Sequence, residues 1–168
     1  MAFLTIRTGS LTHALFGFKG RAKRLDYWLA AIGLAVARVV VLTTALGFTH
    51  MQMSEPEALP LRLALDAAFF WPSAAIVIKR GHDRNRSTLY STVLVGVLYA
   101  SGVAFGLVMD AQNTLGGAVS MLLLLVGSLY MLIDYGLLDG TRGPNRFGPS
   151  PKGAPSEGVG EDLGAVFD

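Results

Sequence analysis

Four long apolar blocks, Tyr27 to Phe48, Leu61 to Ile78, Leu89 to Val108 and Leu115 to Leu138, constrain this chain more than any other feature. Each is within or close to the roughly 17–25 residues that an α-helix needs to cross a hydrocarbon core about 30 Å thick, at 1.5 Å per residue. Of the 168 residues, 52% are hydrophobic and 15% charged, and the mean hydropathy is +0.48. A soluble bundle of this size has too little interior to hide helices that are apolar on every face. The expected fold class is therefore an all-α integral membrane protein with four transmembrane helices (27–48, 61–78, 89–108, 115–138). Residues 1–26 are expected to form a basic, interfacial N-terminal segment, and residues 139–168 an irregular Gly/Pro-rich tail whose end is expected to be disordered. Residues 1–19 lack a signal-peptide core and cleavage site, so the first helix is expected to serve as an uncleaved targeting signal.

The charges sort by segment. Arg7, Lys19, Arg21, Lys23 and Arg24 precede the first block; Lys79, Arg80, Arg84 and Arg86 lie between the second and third; Arg142, Arg146 and Lys152 follow the fourth. The two other loops, 50–60 and 110–114, carry Glu55, Glu57 and Asp110 and no Lys or Arg. Positively charged loops stay cytoplasmic, so both termini are expected to be cytoplasmic.

Local signals refine the elements. Gly81 is the expected C-terminal stop of the second helix, with Ser87 or Thr88 capping the third. Pro72 is expected to kink the second helix. Leu11, Ala14, Leu15 and Phe18 share a helical spacing that suits a short interfacial helix. Small-xxx-small spacings at Gly102 with Gly106 and at Gly116 with Ser120 point to close helix approach inside the bundle.

Four charged residues, Arg38, Arg62, Asp66 and Asp134, lie within the predicted spans. Arg38 lies near the midplane on a stripe with Ala31, Ala35, Leu42 and Ala45, which turns it toward other helices. Asp66 is within about 6–8 Å of it in depth and is the expected partner in an intramembrane ion pair, although Arg62 competes for Asp66 from one turn away. Asp134 is expected to meet Arg80 or Arg84. A different use of Arg38, Asp66 and the Pro72 kink is a pathway in a small transporter or channel component.

Recognisable catalytic chemistry is sparse. Cysteine is absent, and His13, His50 and His82 are scattered along the chain, so no metal site is expected. There is no G-x-S-x-G elbow and no Walker A loop. His82, Asp83 and Ser87 are too close in sequence to orient one another as a triad.

The polar residues fall in three ordered stretches, "FGFKGRAKRLDYW", "KRGHDRNRS" and "DGTRGPNRFGPSP". Together, from about Phe16 to Pro151, they resemble a bacterial family of small inner-membrane proteins classed as domain of unknown function 805, of the YhaH and YhaI type. The resemblance implies a multi-pass protein of the bacterial cytoplasmic (inner) membrane without an assigned reaction. It departs from the family pattern at Lys79, Gly81, Thr88, Leu89 and Tyr90.

The functional expectation is a binding, scaffold or membrane-adaptation module and not an enzyme. Arg21, Arg24, Arg80, His82, Asp83, Arg84, Arg86, Asn145 and Arg146 are expected to form a cytoplasmic basic surface that binds an anionic phospholipid. The expected partners are the lipid bilayer and a second copy or another membrane protein, with no nucleic acid and no cofactor.

Overall fold

The first three apolar blocks wind into helices that outrun them at both ends, because polar flanking residues still satisfy terminal backbone groups, and the fourth begins one residue early and changes to a π-helix before its end. A computed structural model describes residues 13, 15–50 and 56–152. The helices are α1 (Arg24–Thr49), α2 (Leu59–Asp83), α3 (Thr88–Asp110) and α4 (Thr114–Met131), the last continued by a π-helical segment, Leu132–Leu137. A 3-10 turn, Pro56–Ala58, leads into α2. No strand occurs among the described residues, only an isolated bridge between Asn145 and Gly148. Arg7, Leu11, Ala14, Glu55 and the acidic end of the tail lie outside the described residues.

All four helices are long and apolar enough to cross a membrane. Their outer faces suit lipid: Val36 and Val40 on α1 and Leu122, Leu125, Val126 and Leu129 on α4 are each more than half exposed. Continuous exposed apolar surface on this scale is not tolerated in water.

Helix α2 is the centre of the packing. It lies against α1 and α3, α4 lies against α3, and the π-helical segment returns to touch α1. Ala74, Ile76, Val77 and Ile78 of α2 join Tyr27, Val95, Met131 and Tyr135 in the core. Helix α2 runs unbroken through buried Pro72. Near the proline the Tyr99 hydroxyl donates to the Phe69 carbonyl (3.2 Å) and bonds to Ser73 Oγ (2.8 Å), adding side-chain bonds where proline supplies no N–H.

Gly81 is not the stop of α2, because the helix continues to Asp83. The chain turns at Asn85, which is left-handed (φ 57°). The Asn85 N–H donates to the His82 carbonyl (3.0 Å) and the Arg86 N–H to the Gly81 carbonyl (2.8 Å), the paired bonds of a Schellman motif. Gly81 has a different task, since a Cβ there would overlap Ser91 Oγ of α3. Ser87 caps α3 by accepting from the Tyr90 N–H (3.1 Å).

The N-terminal stretch packs along α2. Lys79 Nζ donates to the His13 carbonyl (2.9 Å), Trp71 Nε1 to the Phe16 carbonyl (3.4 Å), and the Ala22 N–H to the Lys79 carbonyl (3.1 Å). Phe18 meets Trp71 edge-on at 5.0 Å. The segment thus dips from the level of Lys79 to that of Trp71 and returns.

Candidate functional site

Four antiparallel helices bring the start of α1, the α2–α3 turn and the tail after α4 to one end of the bundle. There the three polar stretches interlock around Asp83. Its Oδ1 accepts from Arg21 Nε (3.0 Å) and Nη2 (2.9 Å), and its Oδ2 accepts from Arg80 Nη1. All three side chains are at most 3% exposed. One carboxylate balances only one of the two guanidiniums, and backbone carbonyls take the remaining donors. Arg21 donates to Thr141 O (2.7 Å), Gly143 O (2.8 Å) and Gly148 O (3.2 Å); Arg80 donates to Tyr135 O (2.7 Å) and to Leu138 O. Arginine suits both positions because its planar fork presents five donors.

The end of α4 supplies several of those carbonyls. The last carbonyls of a helix have no partner within it. Here the side chains of other segments take them up: Arg80 at Tyr135 and Leu138, Trp28 Nε1 at Gly136 (3.1 Å) and Arg24 Nη1 at Leu137 (2.9 Å). Positive charge also complements the negative end of the helix dipole.

The tail is sewn to the end of α2. The Thr141 N–H and hydroxyl donate to the Asp83 carbonyl (2.8 and 3.1 Å). Asn145 Nδ2 donates to the His82 carbonyl and to Thr141 Oγ1, both at 2.9 Å. A Cβ on Gly140 would overlap the Asp83 carboxylate, so this approach requires glycine. The His82 ring stacks on Phe147 (3.8 Å, 8° between planes), with its Nδ1 3.0 Å from Gly20 O and its Nε2 2.9 Å from Thr88 Oγ1. Arg146 covers the Phe147 ring and donates to Asn85 O (3.0 Å).

Asp134 organises a second cluster, pairing with Arg84 (2.8 Å) and Arg86 (3.3 Å) and accepting from the Tyr130 hydroxyl (3.2 Å). Arg80 pairs with Asp83 and not with Asp134. The hydrogen bond to Asp134 raises the pKa of Arg86 above its ordinary value, against the effect of partial burial. At the rim, the hydrogen bond from Lys152 (3.1 Å) and its charge hold the Asp139 carboxyl below its ordinary range.

The cations of this end therefore divide into two sets. Arg21 and Arg80, both expected at the lipid-binding surface, are buried, and their donors are engaged by Asp83 and backbone carbonyls, as a low-dielectric interior requires. Asp83 is likewise enclosed. Lys19, Arg24, Arg142, Arg146 and Lys152 are exposed, and Arg86 is partly so. His82, Asp83 and Ser87 engage separate partners and do not line up as a triad. No group of three or more potential metal ligands occurs among the described residues.

Away from this end, Arg38 Nε donates to Asp66 Oδ1 (3.1 Å) and Nη2 reaches the same oxygen. Arg38 does not turn fully inward, and 45% of its side chain is exposed, since α1 packs mainly on α2. Asp66 is 18% exposed. Arg62 of α2 lies against Gly106 of α3, where the absence of a Cβ leaves room for its guanidinium.

A family model described as "Protein of unknown function (DUF805)" matches residues 15–149. The chain belongs to this family. It is 33% identical over 135 residues to "Uncharacterized protein YiiR" of Escherichia coli strain K12, covering 80% of this chain and 85% of that protein. The same figures hold for the YiiR of Escherichia coli O157:H7. No solved structure matches. In this DUF805 chain all three polar stretches meet at Asp83. Sequence reasoning missed Thr141, Trp28 and the π-helical carbonyls as parts of the site. Thr141 lies within the third stretch and Trp28 ends the first, but carbonyl acceptors leave no mark in a sequence.

Proposed function

We propose that this protein is a non-enzymatic binding or scaffold module of the bacterial cytoplasmic membrane, with both termini and the interlocked end on the cytoplasmic side. The observation that carries the reading is the commitment of the motif residues to one another. Arg21, Arg80, His82, Asp83 and Asn145 hold three chain segments in a fixed clasp, and Arg24, Arg86, Arg142, Arg146 and Lys152 form a basic rim around it. The charge asymmetry of the loops supports the orientation. A basic rim of this kind favours anionic phospholipid, at about 1 kcal/mol per cation near the surface.

The test is lipid retention by the purified protein in nanodiscs of mixed phosphatidylglycerol and phosphatidylcholine, read by native mass spectrometry. The parent should retain phosphatidylglycerol preferentially, and Arg24→Gln with Arg146→Gln should lose that preference while the clasp stays folded. Equal retention of both lipids by the parent would sink the lipid-binding reading.

A further inference from the structure

Two cavities lie in series along the α1–α2–α3 interface and share Arg38 and Tyr99 as lining residues. The larger, about 330 Å³, reaches from Leu59 and Arg62, at the end opposite the clasp, to Arg38 and Asp66. The smaller, about 230 Å³, continues toward the clasp and is lined mainly by Tyr27, Ala31, Leu34, Ala35, Ile76 and Val77. One wall is thin because α1 carries Ala31 and Ala35 where larger side chains would close the gap.

The chemistry of the two cavities differs. The larger holds the charged groups. Arg38 stands about 21 Å from the start of α1 and about 16 Å from its end, well within the span. Its Nη1 has no partner among the described residues, and nearly half of the side chain is exposed. A guanidinium at that depth is costly unless its donors meet acceptors or water. The smaller cavity offers mostly hydrocarbon walls.

We propose that the paired cavities bind a single-chain anionic amphiphile, with its carboxylate or phosphate head in the larger cavity against Arg38 and its acyl chain in the smaller. The guanidinium supplies charge-assisted hydrogen bonds to the head, and the apolar walls take the chain. Asp66 is the internal competitor for the same guanidinium. The site is separate from the clasp and its rim and does not depend on their role.

The experiment uses the full chain in phosphatidylcholine nanodiscs with a palmitate analogue carrying a chain diazirine, and maps photolabelled residues by mass spectrometry. Labelling is expected to concentrate on the stretches 31–42 and 73–77 and to be competed by palmitate but not by the same concentration of butyrate or inorganic phosphate. Arg38→Gln should lower labelling at least fivefold and Asp66→Asn should raise it, opposite directions that a common folding defect would not produce. Ala35→Leu, which narrows the smaller cavity and leaves the charges intact, should also lower it. Labelling spread equally over the lipid-facing side of α4, or unchanged in all three variants, would overturn the proposal. Competition by inorganic phosphate would replace the amphiphile with a free anion and overturn it as well.

Discussion

Arg80 and Asp83 lie one turn apart on α2 and form an ion pair whose side chains are 0% and 3% exposed, with Arg21 closing on the same carboxylate from a different segment. Removing the carboxylate strands two buried guanidiniums. Asp83→Ala should therefore cost about 3–5 kcal/mol, the range for breaking a buried pair. Reversible denaturation in mixed micelles measures it. Arg80→Lys should also destabilise, because one ammonium cannot reach Asp83, Tyr135 O and Leu138 O from a single position as the fork does.

Gly81 packs where a Cβ would overlap Ser91 Oγ. Alanine has the better helix propensity by about 1 kcal/mol, so propensity alone predicts that Gly81→Ala stabilises. The contact predicts the reverse, a loss of about 1–3 kcal/mol from overpacking. Pairing it with Ser91→Gly makes room and should recover part of the loss. A gain in unfolding midpoint for Gly81→Ala alone would show that α2 and α3 are farther apart than described.

The contrast between these residues explains what the sequence discloses. Four spans are legible because length and hydropathy are properties of single segments, and an even number of antiparallel spans puts both flanking segments and the α2–α3 turn at one end. The end of α2 is not legible. Gly81 has the stronger local claim to a stop than Asn85, and only the Schellman bonds from Asn85 and Arg86 reverse that order. An i, i+3 pairing of Arg80 with Asp83 requires knowing that the helix persists through both. The burial of Arg21 and Arg80 is equally hidden, because their acceptors are mainly backbone carbonyls and any residue type supplies those.

Orientation is testable because the chain contains no cysteine. Ala111, between α3 and α4, and Pro149, in the clasped tail, are both exposed and lie at opposite ends of the bundle. With the clasp on the cytoplasmic side, an impermeant maleimide should label Ala111→Cys in spheroplasts with intact inner membranes and should label Pro149→Cys only after permeabilisation. The opposite pattern would invert the assignment drawn from loop charge.

Arg38 and Asp66 provide a double-mutant cycle. Each single alanine variant leaves one charge within the span without its observed partner, whereas the double variant removes both. Coupled residues usually show interaction energies of about 0.5–3 kcal/mol, and a depth at which water is scarce favours the upper part of that range. The 45% exposure of Arg38 pulls the other way, because a side chain that reaches water or a lipid phosphate recovers some of the loss. The expected outcome is that both single variants lower the unfolding midpoint and that the double variant is more stable than the sum of the two losses. Measurement in phosphatidylcholine and then in phosphatidylglycerol separates the two influences: an anionic headgroup able to reach Arg38 should shrink the loss in Asp66→Ala and leave that in Arg38→Ala unchanged. Strict additivity in both lipids would show that the pair contributes nothing beyond its members.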